Sequence, residues 1–173
     1  ASSIRVEGIF GRKHNSNRTV IYTHQSPPLS DLVKQTNMES INLYAEALVM
    51  RAAVKRGRSG TTDAAVDLIE DFWRERGVNT KGMYVRDGSG LSPNNVMSTR
   101  QMANILYKAS QQSFASSFKA SLPLAGRSGS LRSMMKGTAA EGKLRAKSGY
   151  ISGVRAYTGY VTTASGQEYA FSM

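Results

Sequence analysis

Two short polar triplets could do chemistry together, although they lie far apart in the chain. Lys147-Ser148-Gly149 puts a cation, a hydroxyl and a missing side chain in a row, and Ser40-Ile41-Asn42 puts a hydroxyl close to an amide. A cation beside a hydroxyl can hold an anionic group. Either triplet alone is also typical of ordinary structure, the first of a strand that ends at a turn and the second of helix capping.

The first triplet lies within residues 143–163, where Tyr, Val, Thr and Ile punctuated by Gly predict strand, turn and strand. Successive side chains of a strand point to opposite faces, so Lys147 and Ser148 can flank one groove if the strand is an edge. Gly149 has no Cβ to keep a ligand away from the backbone. Because a free strand edge can pair with an extended peptide, we predict a peptide groove whose charge and hydroxyl hold an anionic end.

Composition limits the classes of function. The chain has 173 residues, of which 40% are hydrophobic and 20% charged, so we expect one globular domain. No apolar run approaches membrane-spanning length, and the first residues lack the pattern of a signal peptide. There is no Cys, and no carboxylate cluster stands near His14 or His24, so we predict neither a metal site nor a cofactor.

The chain is strongly basic, with a formal net charge of +11 and an isoelectric point of about 10.1. This charge keeps nucleic acid open as a partner. The basic residues are scattered, however, and few aromatic residues stand near them. Such a pattern is more typical of a solvated surface, or of one that faces an anionic polymer, than of a base reader. We therefore expect no nucleic-acid binding.

Strand-like and helix-like patterns follow one another in blocks. The expected elements are a hairpin from residues 4–10 and 18–24, helices over 31–38 (N-cap Ser30), 42–55, 63–76 (N-cap Thr62), after Ser98 and over about 112–120, and strands over about 143–149, 153–163 and from 167 to the end. In the second helix the apolar positions Leu43, Ala47, Met50 and Val54 recur at helical spacing. A hairpin, then helices, then an antiparallel sheet predict an α+β fold. The apolar last strand simply stops, so the domain looks cut.

The order of the motifs resembles a known enzyme family. S-x-N followed much later by K-S-G matches the second and third signatures of the penicillin-recognising serine enzymes. The surrounding sequence matches too, namely S-I-N-L-Y-A-E at 40–46, D-G-S-G-L-S at 87–92, L-P-L-A-G at 122–126, G-S-L at 129–131 and G-T-A-A at 137–140. From about Thr19 to its end, the chain is similar to the low-molecular-mass, penicillin-binding D-alanyl-D-alanine carboxypeptidases with a large inserted region.

The resemblance implies a beta-lactamase/transpeptidase-like fold, in which an antiparallel sheet packs with helices, and it implies catalytic roles for three residues. Ser40 would sit beside the nucleophile and pass a proton toward the leaving amine. Asn42 would hydrogen-bond the amide of the substrate. Lys147 would add positive field to the site and help to tune Ser40.

The resemblance also implies how a substrate would be held. Ser148, where many members have Thr, would bind the terminal carboxylate, and Gly149 would belong to the same substrate-binding edge. The backbone N–H of Tyr150 would form half of an oxyanion hole. The implied partner is a peptidoglycan peptide that ends in D-Ala-D-Ala, with beta-lactams as inhibitors. The implied location is periplasmic or otherwise extracytoplasmic.

The chain departs from the family pattern most strongly at the first signature. It is S-x-x-K, whose Ser is acylated and whose Lys, one helical turn later, is the base. Residues 1–39 contain no such match, and the matches at 116–119 and 133–136 come after Ser40, in the wrong order. We therefore interpret residues 1–173 as the C-terminal part of the catalytic domain, without its nucleophile.

Two other interpretations stay open at this point. A beta-lactamase-like hydrolase would also fit K-S-G, but it needs a carboxylate that activates water, and Glu46, Glu70 and Glu141 are more typical of support for helices or loops. A non-catalytic module that binds cell-wall polymer or nucleic acid would fit the basic charge and the missing signature.

We expect the 173-residue chain alone to form no covalent adduct with a labelled penicillin, because it lacks the nucleophile of the enzymes that it resembles. A longer chain that adds the S-x-x-K segment upstream should form one. Intact-mass spectrometry after incubation with the label measures both outcomes. A stable adduct on the 173-residue chain would mean that its own sequence contains the nucleophile.

Overall fold

The computed structural model describes residues 22–151 and 153–173. The hairpin predicted for residues 4–10 and 18–24 lies outside the described residues except for its last three, which have no regular secondary structure. Within the described part of the chain, none of the helices has both the length and the apolar character needed to cross a membrane.

Five helices precede a three-stranded sheet in the described residues. The helices are α1 (Leu29–Glu39), α2 (Asn42–Lys55), α3 (Thr62–Glu75), α4 (Thr99–Ser110) and α5 (Ala115–Ser121), followed by a short 3₁₀ turn (Gly129–Leu131). The strands are β1 (Leu144–Ile151), β2 (Val154–Thr162) and β3 (Glu168–Ser172), which pair antiparallel in the order β1-β2-β3. The predicted α+β class is therefore confirmed, and each predicted helix and C-terminal strand exists within a few residues of its expected bounds.

The helix caps agree with the sequence at one helix and differ at two. Ser98 forms a reciprocal capping box with Gln101, as expected for α4. The N-cap of α3 is Thr61 rather than Thr62, because Thr61 is the extended residue whose hydroxyl accepts the N–H of Ala64. Pro28 rather than Ser30 precedes α1, so Ser30 already lies inside that helix.

The apolar stripe of α2 does not face the core. Leu43 is 73% exposed and Val54 is 42% exposed, Ala47 is exposed as well, and Met50 is only half-buried. The fully buried residue of this helix is Ala53. The face of α2 that packs inward therefore lies beside the apolar stripe that the spacing indicated.

A glutamate explains this difference. Glu46 lies two turns before Ala53 on the same face of α2, and its carboxylate accepts the backbone N–H groups of Gly88 at 3.1 Å and Ser89 at 2.9 Å. Val49, on that face too, leaves no room for a Cβ at Gly88, which would lie 2.6 Å from a methyl group of Val49. The inward face is thus specified by a loop that needs an acceptor, which apolar periodicity cannot indicate.

The main core joins α4 and α5 to the sheet. Leu106, Leu122 and Tyr160 are buried together, with Phe118 and Ala170 packed against them. The hydroxyl of Tyr160 donates a 2.7 Å hydrogen bond to the backbone oxygen of Leu106. Burial, together with the nearby negative charge of Glu168, raises the pKa of Tyr160 to about 12. The phenol is therefore a neutral donor that ties the sheet to α4.

The outer edge of β1 is covered along only part of its length. Ala125 donates its N–H to Leu144 at 2.9 Å, and Ala146 donates its N–H to Pro123 at 3.0 Å. Backbone groups alternate between the two sides of a strand, so the next outward-facing groups belong to Ser148 and Tyr150. The segment before the 3₁₀ turn thus closes the edge up to Ala146 and ends where the K-S-G triplet begins.

We expect Tyr160→Phe to lower the free energy of unfolding by about 1 kcal/mol, because the buried hydrogen bond to Leu106 is lost while the ring still packs. Tyr169→Phe is the matched control, since this side chain is 53% exposed and bonds only to the side chain of Gln167 among the described residues. Urea unfolding of each variant gives the comparison. Equal effects of the two substitutions would contradict the structural role of the buried phenol.

Candidate functional site

The two polar triplets meet in the structure. The ammonium of Lys147, in the middle of β1, donates a 2.5 Å hydrogen bond to the hydroxyl of Ser40, which lies between α1 and α2. The same ammonium donates to the backbone oxygen of Ser148 at 2.8 Å. The contact thus joins the turn between α1 and α2 to the strand edge.

Ser40 holds its position at a conformational cost. Its φ of 55° and ψ of 48° are left-handed, and its backbone N–H closes the last turn of α1 on Thr36. This conformation costs a residue with a side chain roughly 1–2 kcal/mol, and glycine is the usual residue at such a helix end. A serine there keeps a hydroxyl that the helix end does not need, and that hydroxyl contacts Lys147.

Lys147 is a half-buried cation without a carboxylate partner among the described residues. Burial lowers the pKa of its ammonium below the ordinary value, because the charged form loses hydration. Its hydrogen-bond acceptors, a hydroxyl and a carbonyl, are both neutral. The charge is therefore available to an anionic ligand.

The hydroxyl of Ser148 contacts a residue outside the two triplets. Its hydroxyl donates a 2.7 Å hydrogen bond to the hydroxyl of Ser130, in the 3₁₀ turn. Lys147 and Ser148 thus engage different elements, as expected for neighbours on an edge strand. In the sequence, Ser130 belongs to the G-S-L segment of the resemblance, and no spacing rule links it to Ser148.

Gly149 and Tyr150 complete the exposed part of β1. Gly149 does not have a positive φ, and a Cβ added there would meet only the Cβ of Ala156, at 4.0 Å. Neither backbone conformation nor packing within the described chain therefore requires glycine at this position. Tyr150 is 69% exposed, and its ring lies 5.4 Å from the guanidinium of Arg155. Its backbone N–H faces outward with that of Ser148 by the alternation of the strand.

Asn42 is exposed and begins α2, two residues after Ser40. It lies one turn before Glu46 and therefore on the helix face that is directed to the loop at 87–90. Asp87 shapes this loop, because its carboxylate accepts the N–H groups of Gly90 and Ser92. The loop and the turn that carries Ser40 are thus held to the same helix.

The glutamates considered as water-activating bases have structural partners. Glu46 accepts from the loop at 87–90, Glu70 accepts from Thr80, and Glu141 accepts the N–H of Gly137 at 2.8 Å. Each therefore supports a helix or a loop, as the sequence indicated. Within residues 22–151 and 153–173, no group of three or more His, Cys, Asp or Glu side chains could hold a metal ion.

We expect the difference in unfolding free energy between the wild type and Lys147→Met to grow with pH, from the lowered pKa of Lys147 up to about pH 10.4. In that window the unfolded wild type binds more protons at this lysine than the folded one, so raising the pH favours folding. Tyr160 ionises similarly in both proteins, and its effect cancels in the difference. Denaturant unfolding of both proteins across pH measures this difference in unfolding free energy. A difference that stays flat or falls with pH would contradict the burial of the Lys147 charge.

Comparison with known proteins places this chain in a family. The model of the D-Ala-D-Ala carboxypeptidase 3 (S13) family matches residues 2–173. The chain is 38% identical over 159 residues to the D-alanyl-D-alanine carboxypeptidase of Actinomadura sp. (strain R39), covering 89% of this chain and 29% of that protein. It is 33% identical over 161 residues to Carboxypeptidase DacB of Mycolicibacterium smegmatis, covering 90% and 35%.

A solved structure of a similar protein has the same fold as this chain. Penicillin binding protein 4 (dacB) from Haemophilus influenzae, in complex with a beta-lactam, superposes with a TM-score of 0.81 at 25% identity, over 87% of this chain and 35% of that one. The chain spans about a third of the length of these relatives. The match of the family model over nearly the whole chain, with the beta-lactamase/transpeptidase-like fold, shows that this chain belongs to the D-Ala-D-Ala carboxypeptidase 3 (S13) family.

Proposed function

We propose that this chain forms one side of the active site of a serine-type D-Ala-D-Ala carboxypeptidase/endopeptidase. The complete enzyme would cleave peptidoglycan peptides through an acyl-serine intermediate and would bind beta-lactams. The observation that carries the proposal is the contact of Ser40 with Lys147 at a strand edge, between residues 107 positions apart. Membership of the family supports it, since that contact joins the S-x-N and K-S-G signatures.

The substrate would lie along β1 as an added strand. The outward backbone groups of Ser148 and Tyr150 follow the point where the segment at 123–125 stops covering the edge. Gly149 suits this role, because a Cβ there would stand on the face of β1 that carries the Lys147 side chain, beside a paired ligand, while the protein itself has room for one. The N–H of Tyr150 would donate to the oxyanion that develops on the attacked carbonyl.

Ser40 and Lys147 would transfer a proton during the reaction. The ammonium donates to the hydroxyl of Ser40, which leaves the hydroxyl hydrogen of Ser40 free to point at another group. Ser40 could then pass a proton toward the leaving amine and recover one from its neighbours. The lowered pKa of Lys147 eases this relay, since the ammonium gives up a proton more readily.

Asn42 and Ser148 would hold the substrate on either side of the peptide bond that is cleaved. The amide of Asn42, on the helix face beside the loop at 87–90, would hydrogen-bond the peptide, and the hydroxyl of Ser148 would bind the terminal carboxylate. The uncompensated charge of Lys147 favours an anionic end at this place.

The nucleophile would come from an S-x-x-K segment outside these 173 residues. Among the later matches, Lys119 is already committed to other contacts, because it pairs with Glu168 and lies 4.8 Å from the ring centroid of Tyr160. The match at 133–136 lies in exposed turns after the 3₁₀ turn. We also propose that the enzyme acts outside the cytoplasm, where its peptidoglycan substrate lies.

We expect the complete enzyme to release D-Ala from a peptide that ends in D-Ala-D-Ala and to form a covalent adduct with penicillin. Gly149→Ala should lower both rates at least about tenfold, because the new Cβ crowds the side chains of a ligand that lies along this stretch of β1, while stability changes by no more than about 1 kcal/mol. Kinetics of D-Ala release and urea unfolding measure the two effects.

Ser116→Ala is the matched control and should leave both rates unchanged, because Ser116 belongs to the S-x-x-K match on α5. Absence of D-Ala release and of the adduct in the complete wild-type enzyme would reject the proposed function. Loss of the adduct in Ser116→Ala would instead make this residue the nucleophile. Turnover of penicillin faster than that of the peptide would favour a beta-lactamase.

A further inference from the structure

Ser130 lies at the edge of the candidate site, but the roles proposed above for the site residues do not include it. Its hydroxyl accepts a 2.7 Å hydrogen bond from Ser148, the residue proposed to bind the terminal carboxylate. Ser130 itself is exposed. Within the described part of the chain, Ser148 is the only hydrogen-bond partner of that hydroxyl. Two hydroxyl groups therefore stand side by side at the edge of the site, and they come from different elements.

The 3₁₀ turn presents this hydroxyl rigidly. Gly129 has a φ of +54°, and a Cβ there would lie 2.8 Å from a ring carbon of Pro123 and 3.1 Å from the backbone oxygen of Met38. Leu131, on the other side, is only 2% exposed. Ser130 is thus an exposed residue between two residues that packing fixes, which is how a binding group is held in place.

A carboxylate requires more than the hydroxyl of Ser148 can supply. It has two oxygens that accept hydrogen bonds, and a serine hydroxyl has one hydrogen to donate. In the structure Ser148 gives its hydrogen to Ser130, so the hydrogen of Ser130 points elsewhere. If each hydroxyl turned toward a bound carboxylate, both would donate charge-assisted bonds, and Lys147 would add its charge from the adjacent position of β1.

We propose that Ser130 is the second donor to the free terminal carboxylate of the substrate, and thereby a specificity residue for peptide ends. The inference rests on the proposed function and adds a residue to it. Ser148 and Ser130 form a two-hydroxyl clamp, which distinguishes a terminal carboxylate from an amide because an amide offers one acceptor and presents N–H donors in place of the second oxygen.

The test compares two substrates on the complete enzyme. One is an N-acetylated peptide ending in D-Ala-D-Ala, and the other is the same peptide with a C-terminal amide. Ser130→Ala should lower kcat/KM for the free acid about 10- to 100-fold, the effect of one hydrogen bond to a charged group, and leave the amide unchanged. Release of D-Ala and of D-alaninamide gives the two values.

Two further variants separate binding from structure. Ser130→Thr keeps a hydroxyl and should restore the preference for the free acid. Ser133→Ala, at an exposed serine in the turns that follow, is the matched control and should change neither substrate.

Equal losses for acid and amide in Ser130→Ala would overturn the inference, because they would mean that Ser130 only holds the loop. An unchanged value for the acid would overturn it too. If the wild type cleaves neither peptide and forms no penicillin adduct, the proposed function itself fails. If the wild type cleaves the acid and Ser130→Ala keeps the ratio of acid to amide, only the clamp fails.

Discussion

The hydrogen bond between Lys147 and Ser40 is the contact on which the arrangement of the site depends. It requires a serine in left-handed conformation at the end of α1, where glycine would be easier, and a half-buried ammonium on a strand edge. Each of these features lowers stability by itself. The meeting of two such features at one point is typical of a functional site.

The surrounding elements keep the two halves of this contact in register. The segment that covers the edge of β1 continues into the 3₁₀ turn, and Gly129 of that turn packs against the end of α1 at Met38. The same stretch of chain therefore touches both the strand that carries Lys147 and the helix that ends at Ser40. On the far side, Tyr160 fixes the sheet to α4. The site thus lies between parts of the fold that cannot shift independently.

The sequence predicted the elements and the convergence of the triplets better than it predicted side-chain environments. Strand-forming residue types and turn residues located the strands, and Ser98 located the start of α4, because these signals are local. The apolar spacing of α2 does not mark its inward face, since Glu46 faces the loop at 87–90 to accept its N–H groups. Ser130 escaped notice for a similar reason, because a lone serine gains meaning only from its contact with Ser148. Long-range polar contacts leave no periodic trace in a sequence.

The open part of the β1 edge is closed at one end, because the segment at 123–125 covers the rest of the strand. Pairing with Pro123 and Ala125 occupies the outer groups of Leu144 and Ala146, so a chain that lies along the strand cannot continue straight past Ser148. A polymer could enter only by its tip, or would have to bend sharply out of the groove at that point. The length of a chain that pairs with this edge is therefore limited at one end by backbone geometry, before any side chain takes part.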